Sequence, residues 1–499
     1  MDTAGPTTTT YEHGHPKGIY VLFFAEMWER FSYYGMRALL IFYMTQTFLF
    51  SDNKSYAIYG SYTALVYLTP VFGGIVGDRI LGYRKCVIAG ATLMALGHFC
   101  MAVQNTAVFY LALALLIIGN GFFKANMSTI VGRLYEPGDP RRDGGYIIFY
   151  MGVNVGAFLA PLLCGWVGGK YGWHWGFTLA GIGMIVGLIN FVKGQHRFAG
   201  KAEPPDPEGL RRPVFGNLNK EMLVYLGAAL AVAATWKLIQ WTTFIGYLLI
   251  VVAALCLVYL LGYSFAKCRG ASRHQLWVAL TLTGVSVVFW AFFEQAGSSM
   301  NLFADRNVNK VVFGWDVPAP VMQAINPGFI IIFGSLFAML WIALHKIGRN
   351  PSIPMKFGLG IVQLGLGFAA LYYGAWRSQE DGVVALGWLV LGYLLHTTGE
   401  LCLSPVGLSM ITKLSPPKIT GMMMGTWYLS ISLAQYAAGL IAQLTSIETE
   451  SGVTESLDPV ATVMVYGNVF GQIALVALAV GLLVALVAPL LNRGTHGVT

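Results

Sequence analysis

Residues 18–49, GIYVLFFAEMWERFSYYGMRALLIFYMTQTFL, decide the fold, because they are long and apolar enough to cross a bilayer as one helix. Glu26, Glu29, Arg30 and Arg37 recur in this stretch at helical spacing, which places them on one face. The face extends about 16 Å along the axis, roughly half the hydrocarbon thickness. Since a charge in the membrane costs about 3 kcal/mol, we interpret the face as one wall of a polar cavity within a helical bundle. A surface amphipathic helix, or a salt bridge that serves packing alone, is the structural alternative.

The composition is that of a membrane protein. Of 499 residues, 56% are hydrophobic and 11% are charged, against about 25% charged residues in a soluble globular domain. The net charge of +8 comes mainly from Lys and Arg in alternate loops, which is the positive-inside bias and not a nucleic-acid-binding surface. The sequence therefore predicts an all-α, multi-pass protein of the cell inner membrane, surrounded by lipid, with both termini cytoplasmic and no nucleic-acid partner.

The apolar runs predict about fourteen membrane helices. We expect a six-helix bundle at 18–192, a polar cytoplasmic linker at 193–221, an additional helical pair at 222–268 and a second six-helix bundle at 269–490. The remaining residues, 1–17 and 491–499, are predicted as cytoplasmic tails. Two packed bundles predict a binding site between them, near the middle of the membrane.

Further charges lie inside other apolar runs. Lys124 belongs to the first half of the chain, whereas Glu294 and Glu400 belong to the second. The membrane segments of the first half thus carry three cations and two carboxylates, and those of the second carry carboxylates only. A cavity between the halves would be bipolar and would suit a zwitterion, and its carboxylates could also take up protons. Structural pairing explains each residue equally well when it is taken alone.

Other intramembrane polar and aromatic residues have two interpretations. Asn154 and Asn326 are either substrate contacts or hydrogen-bonding partners between helices. Tyr67, Trp290 and Trp427 either wall a pocket or pack in the bundle. The sequence contains no HExxH, G-x-S-x-G or Walker motif, so neither an enzyme nor a cofactor is predicted.

The motif ExxERFxYYG, from Glu26 to Gly35, resembles the first-helix signature of the proton-dependent oligopeptide transporters, a branch of the major facilitator superfamily. The resemblance continues through 73–85 (GGIVGDRILGYRK), 149–158 (FYMGVNVGAF), 323–327 (QAINP) and 399–409 (GELCLSPVGLS). It implies the major facilitator fold with two additional helices, as in bacterial members. It also implies a monomeric symporter that imports di- and tripeptides with protons by alternating access.

The resemblance further implies roles for individual residues. The peptide carboxylate would meet Arg37 and Lys124 with Arg30 nearby, and the peptide ammonium would meet Asn154, Asn326 and Glu400. Tyr33, Tyr34 and Tyr67 would contact the peptide backbone, and Trp290 and Trp427 would line side-chain pockets. Proton coupling would involve Glu26, Glu29, Arg30 and Glu294. Two ion pairs, Arg37–Glu294 and Lys124–Glu400, would form and break as the bundles move.

One position departs from the animal members, which place a histidine where this chain has Gly60. Proton coupling here must therefore rest on carboxylates. The main alternative is a proton-coupled transporter of another small solute, such as nitrate, a drug or a peptide-like compound, on the same fold. A membrane-embedded peptidase would need a nucleophile or metal constellation that the sequence does not contain.

Overall fold

The computed structural model describes residues 14–136, 138–447 and 457–497, so the predicted tails lie partly outside it. Eighteen α-helices form its described part: α1 Gly18–Phe42, α2 Asp52–Leu68, α3 Pro70–Val76, α4 Tyr83–Met101, α5 Thr106–Arg133, α6 Arg142–Ala160, α7 Trp166–Tyr171, α8 Trp173–Gly194, α9 Pro207–Arg211, α10 Lys220–Leu238, α11 Thr242–Lys267, α12 Ala271–Phe293, α13 Ser299–Asn307, α14 Ile325–Lys346, α15 Ile353–Arg377, α16 Leu386–Leu414, α17 Thr420–Gln443 and α18 Pro459–Gly494.

Short 3₁₀ or π turns extend or join these helices at Tyr43–Thr47, Gly77–Leu81, Pro161–Gly165, Gln195–Phe198, Glu294–Gly297, Ala319–Ala324 and Pro417–Ile419. Two antiparallel hairpins pair β1 Pro213–Phe215 with β2 Leu218–Asn219, and β3 Val311–Val312 with β4 Trp315–Asp316. Both hairpins lie in connections between long helices.

Within the described residues, eleven helical stretches are long and apolar enough to cross a membrane. Three other long helices, α1, α4 and α17, pack inside the bundles, and α1 is the helix that carries the charged face. Together they account for about fourteen crossings. The prediction of an all-α membrane protein is confirmed.

The additional pair, α10 and α11, contacts both bundles. Helix α10 packs on α5, and Trp236 Nε1 donates to the Ala107 carbonyl oxygen over 2.9 Å. Helix α11 packs on α17 and α2. The linker before the pair contains α9 and the first hairpin. An ion pair of Arg84 with Glu203 (2.6 Å) fixes the linker to the start of α4, and an ion pair of Lys85 with Glu221 (2.5 Å) fixes the start of α10 to the same helix.

The hydrogen bonds and ion pairs described between the two bundles concentrate towards one end. We call the end that contains the start of α1, the linker 195–219 and the loop 347–352 the basic end, and the other the distal end. Among described residues, the hydrogen bonds and ion pairs between bundles lie from the middle to the distal end. Arg306 pairs with Asp52 (2.6 Å), and Gln46 donates to Asp305 (3.2 Å). The bundles therefore separate towards the basic end.

A close approach of two backbones helps to close the distal end. Gly60 of α2 faces Gly439 of α17, and a Cβ atom on Gly60 would lie 2.8 Å from the Gly439 Cα. That distance is too short for any side chain. The structure thus explains physically why Gly60 does not accommodate a histidine in this arrangement of helices.

Candidate functional site

A cavity of about 180 Å³ lies between the bundles, near the middle of the long helices. Helices α1, α2 and α6 contribute one wall, and α12, α14 and α16 contribute the other. Eight of the residues predicted from the sequence line it: Tyr34, Arg37, Tyr67, Asn154, Trp290, Glu294, Asn326 and Glu400. The cavity therefore brings together charged residues from both halves of the chain.

Arg37 and Glu294 form an ion pair across the cavity, between α1 and the end of α12. Both side chains are almost wholly buried, and Arg37 Nε also donates to the Tyr59 hydroxyl over 2.6 Å. Gly297 makes room for this contact, since a Cβ atom there would lie 1.8 Å from the Tyr59 hydroxyl oxygen. The pair links the two bundles on the distal side of the site.

Glu400 is hydrogen-bonded to an amide in place of a cation. Asn326 Nδ2 donates to Glu400 Oε2 over 3.1 Å and to Thr397 Oγ1 over 2.9 Å. No ion pair with Glu400 occurs within the described ranges, although the residue is only 9% exposed. The second-half wall of the cavity therefore carries a carboxylate that can accept a cationic group.

Two hydrogen-bond donors face the same cavity without acceptors. Trp290 Nε1 and Gln323 Nε2 are buried, and neither has a hydrogen-bond partner in the part of the chain that the structure describes. Because a buried N–H group without an acceptor is costly, these donors are available to a bound molecule that carries carbonyl or carboxylate oxygens.

A second charged cluster joins α1 to α5 on the side of the cavity that faces the basic end. Arg30 donates from Nε to Glu29 Oε2 over 2.5 Å and from Nη2 to Glu29 Oε1 over 2.6 Å. Lys124 pairs with Glu26 Oε1, which also lies 3.5 Å from Arg30 Nε. Glu26 Oε2 is buried without a described partner, and Asn120 Nδ2 donates to Glu29 over 3.4 Å. Two cations thus balance two carboxylates.

The structure places the other predicted residues outside the cavity lining. Tyr33 is buried between the helices of the first bundle, and its hydroxyl has no described partner. Trp427 is 5% exposed and packs against Gly407. Lys124 reaches towards Glu26, although its side chain stays 31% exposed.

The structure does not contain the predicted Lys124–Glu400 ion pair. Lys124 is paired with Glu26, and Glu400 is hydrogen-bonded to Asn326. The physical reason is the separation of the bundles towards the basic end, which leaves each of these residues with partners from its own bundle. In this structure only the other predicted switching pair, Arg37–Glu294, crosses between the halves.

Several cavity residues were not predicted. Tyr150 lies one turn before Asn154 on α6, and Tyr393 and His396 lie on the face of α16 that carries Glu400. Helical spacing of i, i+3, i+4 and i+7 from a predicted residue is the signal that could have found them. The same spacing relates Asn120 to Lys124 on α5.

A polar cavity between two helical bundles, near the middle of the long helices, is the architecture of a secondary transporter. The sequence matches the POT family (PTR2) over residues 84–460. It is 34% identical to the dipeptide and tripeptide permease A of Erwinia pyrifoliae, covering 96% of this chain and 95% of that protein. The peptide transporter YePEPT of Yersinia enterocolitica is 37% identical, with 86% of this chain and 88% of that protein covered.

Solved structures agree with these relatives. The crystal structure of a peptide transporter POT in complex with sulfate superposes with a TM-score of 0.83 at 35% identity, covering 98% of this chain and 97% of that one. The protein described here belongs to the POT family. The resemblance identified in the sequence, and with it the major facilitator fold of a multi-pass transporter, is confirmed.

Proposed function

We propose that the protein is a proton-coupled symporter that imports di- and tripeptides by alternating access. The observation that carries this proposal is the charge distribution around the cavity. Glu400 has no cationic partner in the described residues, whereas Arg30, Arg37 and Lys124 each meet a carboxylate. The ammonium group of a zwitterionic peptide would pair with Glu400. Protons that bind to the carboxylates would release the cations, which could then pair with the peptide carboxylate.

The peptide ammonium group would bind at Glu400, with the side chains of Asn326 and Asn154 nearby. The peptide carboxylate would turn towards Arg37 and Lys124 on the first bundle. Tyr34 and Tyr67 would contact the backbone, and the unpaired Trp290 N–H would meet a peptide oxygen. Only the two termini are recognised by charge, so one cavity can accept peptides with many different side chains.

Proton coupling would begin at Glu26. Its Oε2 atom is buried and has no described partner, so a proton can bind there without displacing Arg30 from Glu29. Protonation removes the negative charge that holds Lys124 and leaves that cation for the substrate carboxylate. In the same way, protonation of Glu294 would release Arg37 for the substrate carboxylate. The charges of Glu29 and Arg30 would influence both protonation steps.

The described arrangement corresponds to an inward-facing state if the basic end is cytoplasmic, as the positive-inside rule indicates. The termini would then be cytoplasmic, in the cell inner membrane. Closing of the basic end would bring Lys124 towards Glu400, and opening of the distal end would break Arg37–Glu294. The monomer contains the whole cavity, so we propose that one chain suffices for transport.

The experiment is pH-gradient-driven uptake of a labelled dipeptide by purified protein in proteoliposomes. We expect accumulation that collapses with a protonophore, and competition by unlabelled dipeptides with varied side chains. Dipeptides blocked at either terminus should compete at least tenfold more weakly. Equal competition by doubly blocked dipeptides contradicts the cavity assignment, and competition by nitrate or a drug without peptide uptake favours the alternative solute.

A further inference from the structure

Lys356, in the first turn of α15, is a buried cation without an anionic partner. It is 8% exposed. Its ammonium group lies over the Trp341 ring on α14, whose centroid is 4.5 Å from Nζ, and it also interacts electrostatically with the uncharged thiol of Cys402 on α16. No ion pair or hydrogen bond to its ammonium group occurs in the described ranges, and an aromatic face leaves most of the charge uncompensated. A further anion is therefore needed close to Nζ.

The connection before this side chain is positively charged. Lys346 ends α14, Arg349 follows in the loop that leads to α15, and both are exposed. The stretch 341–358, WIALHKIGRNPSIPMKFG, contains neither Asp nor Glu. The loop thus supplies no internal anion for Lys356.

The start of α15 adds hydrogen-bond donors at the end of the same connection. Ser352 precedes the helix, and its side chain makes no capping hydrogen bond. The N–H groups of Ile353 and Met355 have no acceptor within the helix, and Pro354 has no N–H group. Lys356 N donates to the Ser352 carbonyl oxygen over 2.9 Å. A 25-residue helix also directs its positive dipole end at this point.

The neighbouring surface of α14 is apolar and exposed. Leu336, Met339, Leu340 and Ile342, in the turns of α14 before Lys346, are between 43% and 58% exposed. A ligand that combines an anionic group with long apolar chains would contact both the cations and this surface. Free phosphate would satisfy the cations alone.

The geometry points to a binding site for the phosphate group of an anionic membrane phospholipid, formed by Lys356, Lys346, Arg349 and the first turn of α15 at the basic end. The acyl chains lie along α14. The negative surface of the cytoplasmic leaflet favours such binding if this end is cytoplasmic. The bound lipid connects the end of α14 to α15, where α14 otherwise exposes most of its side chains.

The test is native mass spectrometry of the full-length protein in detergent, titrated with phosphatidylglycerol or phosphatidylcholine. We expect one phosphatidylglycerol molecule to be retained at a concentration at least tenfold lower than phosphatidylcholine. Lys356→Met, which keeps the aliphatic chain, should reduce this preference at least fivefold, and Lys356→Arg should retain it. Lys193→Met removes an exposed lysine at the same end and is the matched control.

Three outcomes overturn the proposal. These are an unchanged lipid preference in Lys356→Met, an equal loss in the Lys193→Met control, and displacement of the lipid by inorganic phosphate at equal concentration, which reassigns the site to a free anion. If Lys356→Met does not fold, the double variant Lys346→Gln, Arg349→Gln must lower phosphatidylglycerol retention at least threefold for the proposal to stand.

Discussion

At the scale of single residues, Glu400 is distinguished because its carboxylate accepts a hydrogen bond from an amide but forms no ion pair in the described residues. We expect Glu400→Gln to abolish most of the preference for peptides with a free amino terminus. A hydrogen bond to a charged group contributes about 1.5–3 kcal/mol, so the ratio of competition constants for N-acetylated and free dipeptides should fall by about tenfold or more. Glu380→Gln, on an exposed loop, should leave the ratio unchanged. A preserved ratio in Glu400→Gln would place the ammonium group elsewhere.

Glu26 and Glu29 differ in the partners of their carboxylate oxygens. Both oxygens of Glu29 accept hydrogen bonds from Arg30, whereas Glu26 Oε2 has no described partner. Glu26→Gln should abolish stimulation of uptake by a pH gradient while peptide exchange across the membrane continues, because Lys124 no longer responds to protons. Glu29→Gln should also abolish coupling. It should lower thermal stability as well, since leaving a buried Arg30 without its acceptor costs about 3–5 kcal/mol.

Counterflow and gradient-driven uptake in proteoliposomes measure the two activities, and thermal unfolding in detergent measures the stability. Glu208→Gln, whose side chain is 89% exposed in the linker, is the control. Full concentrative uptake by Glu26→Gln would move the proton site to Glu294.

Every Arg or Glu residue of the cavity lining was predicted from the sequence, whereas several neutral residues of the lining were missed. Arg37, Glu294 and Glu400 were found because a charge inside an apolar run is costly and demands an explanation. Tyr393 and Gln323 belong to the same cavity, but tyrosine and glutamine in a membrane helix carry no comparable penalty. The partner of Lys124 could not be predicted from the sequence, because it depends on how far the bundles are separated.

At the scale of helices, the crossing of α2 and α17 depends on two glycines in contact. Gly60→Leu should disfavour closure of the distal end, because overpacking costs about 1–3 kcal/mol, a shift of about 5- to 160-fold in the ratio of the two conformations. A single cysteine introduced at the distal end should become more reactive to a membrane-impermeant maleimide, and uptake should fall. Gly421→Leu, on α17 and with open space around it, is the control. Unchanged labelling and uptake in Gly60→Leu would show that the contact is dispensable.

Helix breaks were less predictable than helices. The run 275–303 reads as one apolar segment, but the structure interrupts it with a 3₁₀ turn at Glu294–Gly297 before α13 begins. This interruption accompanies the approach of Tyr59 and Arg37 to Gly297, a contact between distant parts of the chain. Helix propensity is a property of the local sequence, so it cannot predict an interruption that accompanies such a contact.

At the scale of the whole molecule, the buried ion pair of Asp52 and Arg306 joins the bundles at the distal end. Arg306 also donates to the Tyr466 hydroxyl over 2.8 Å. Asp52→Asn should lower uptake and thermal stability, because an unpaired buried arginine costs about 3–5 kcal/mol. Adding Arg306→Gln should recover much of the loss, since removal of both charges is nearly neutral. A double-mutant cycle on unfolding temperatures measures this coupling, and additive losses would contradict it.

The central charges of the empty carrier do not cancel. Arg30, Arg37 and Lys124 face Glu26, Glu29, Glu294 and Glu400, so three cations meet four carboxylates and leave a formal charge of −1. Transmembrane voltage acts on such a charge with about 2.3 kcal/mol per 100 mV. A zwitterionic peptide and one proton bring the total to zero. An inside-negative voltage should therefore speed the outward return of the empty site while leaving the loaded step unaffected, so that electrical recordings show voltage-dependent net uptake and voltage-independent exchange.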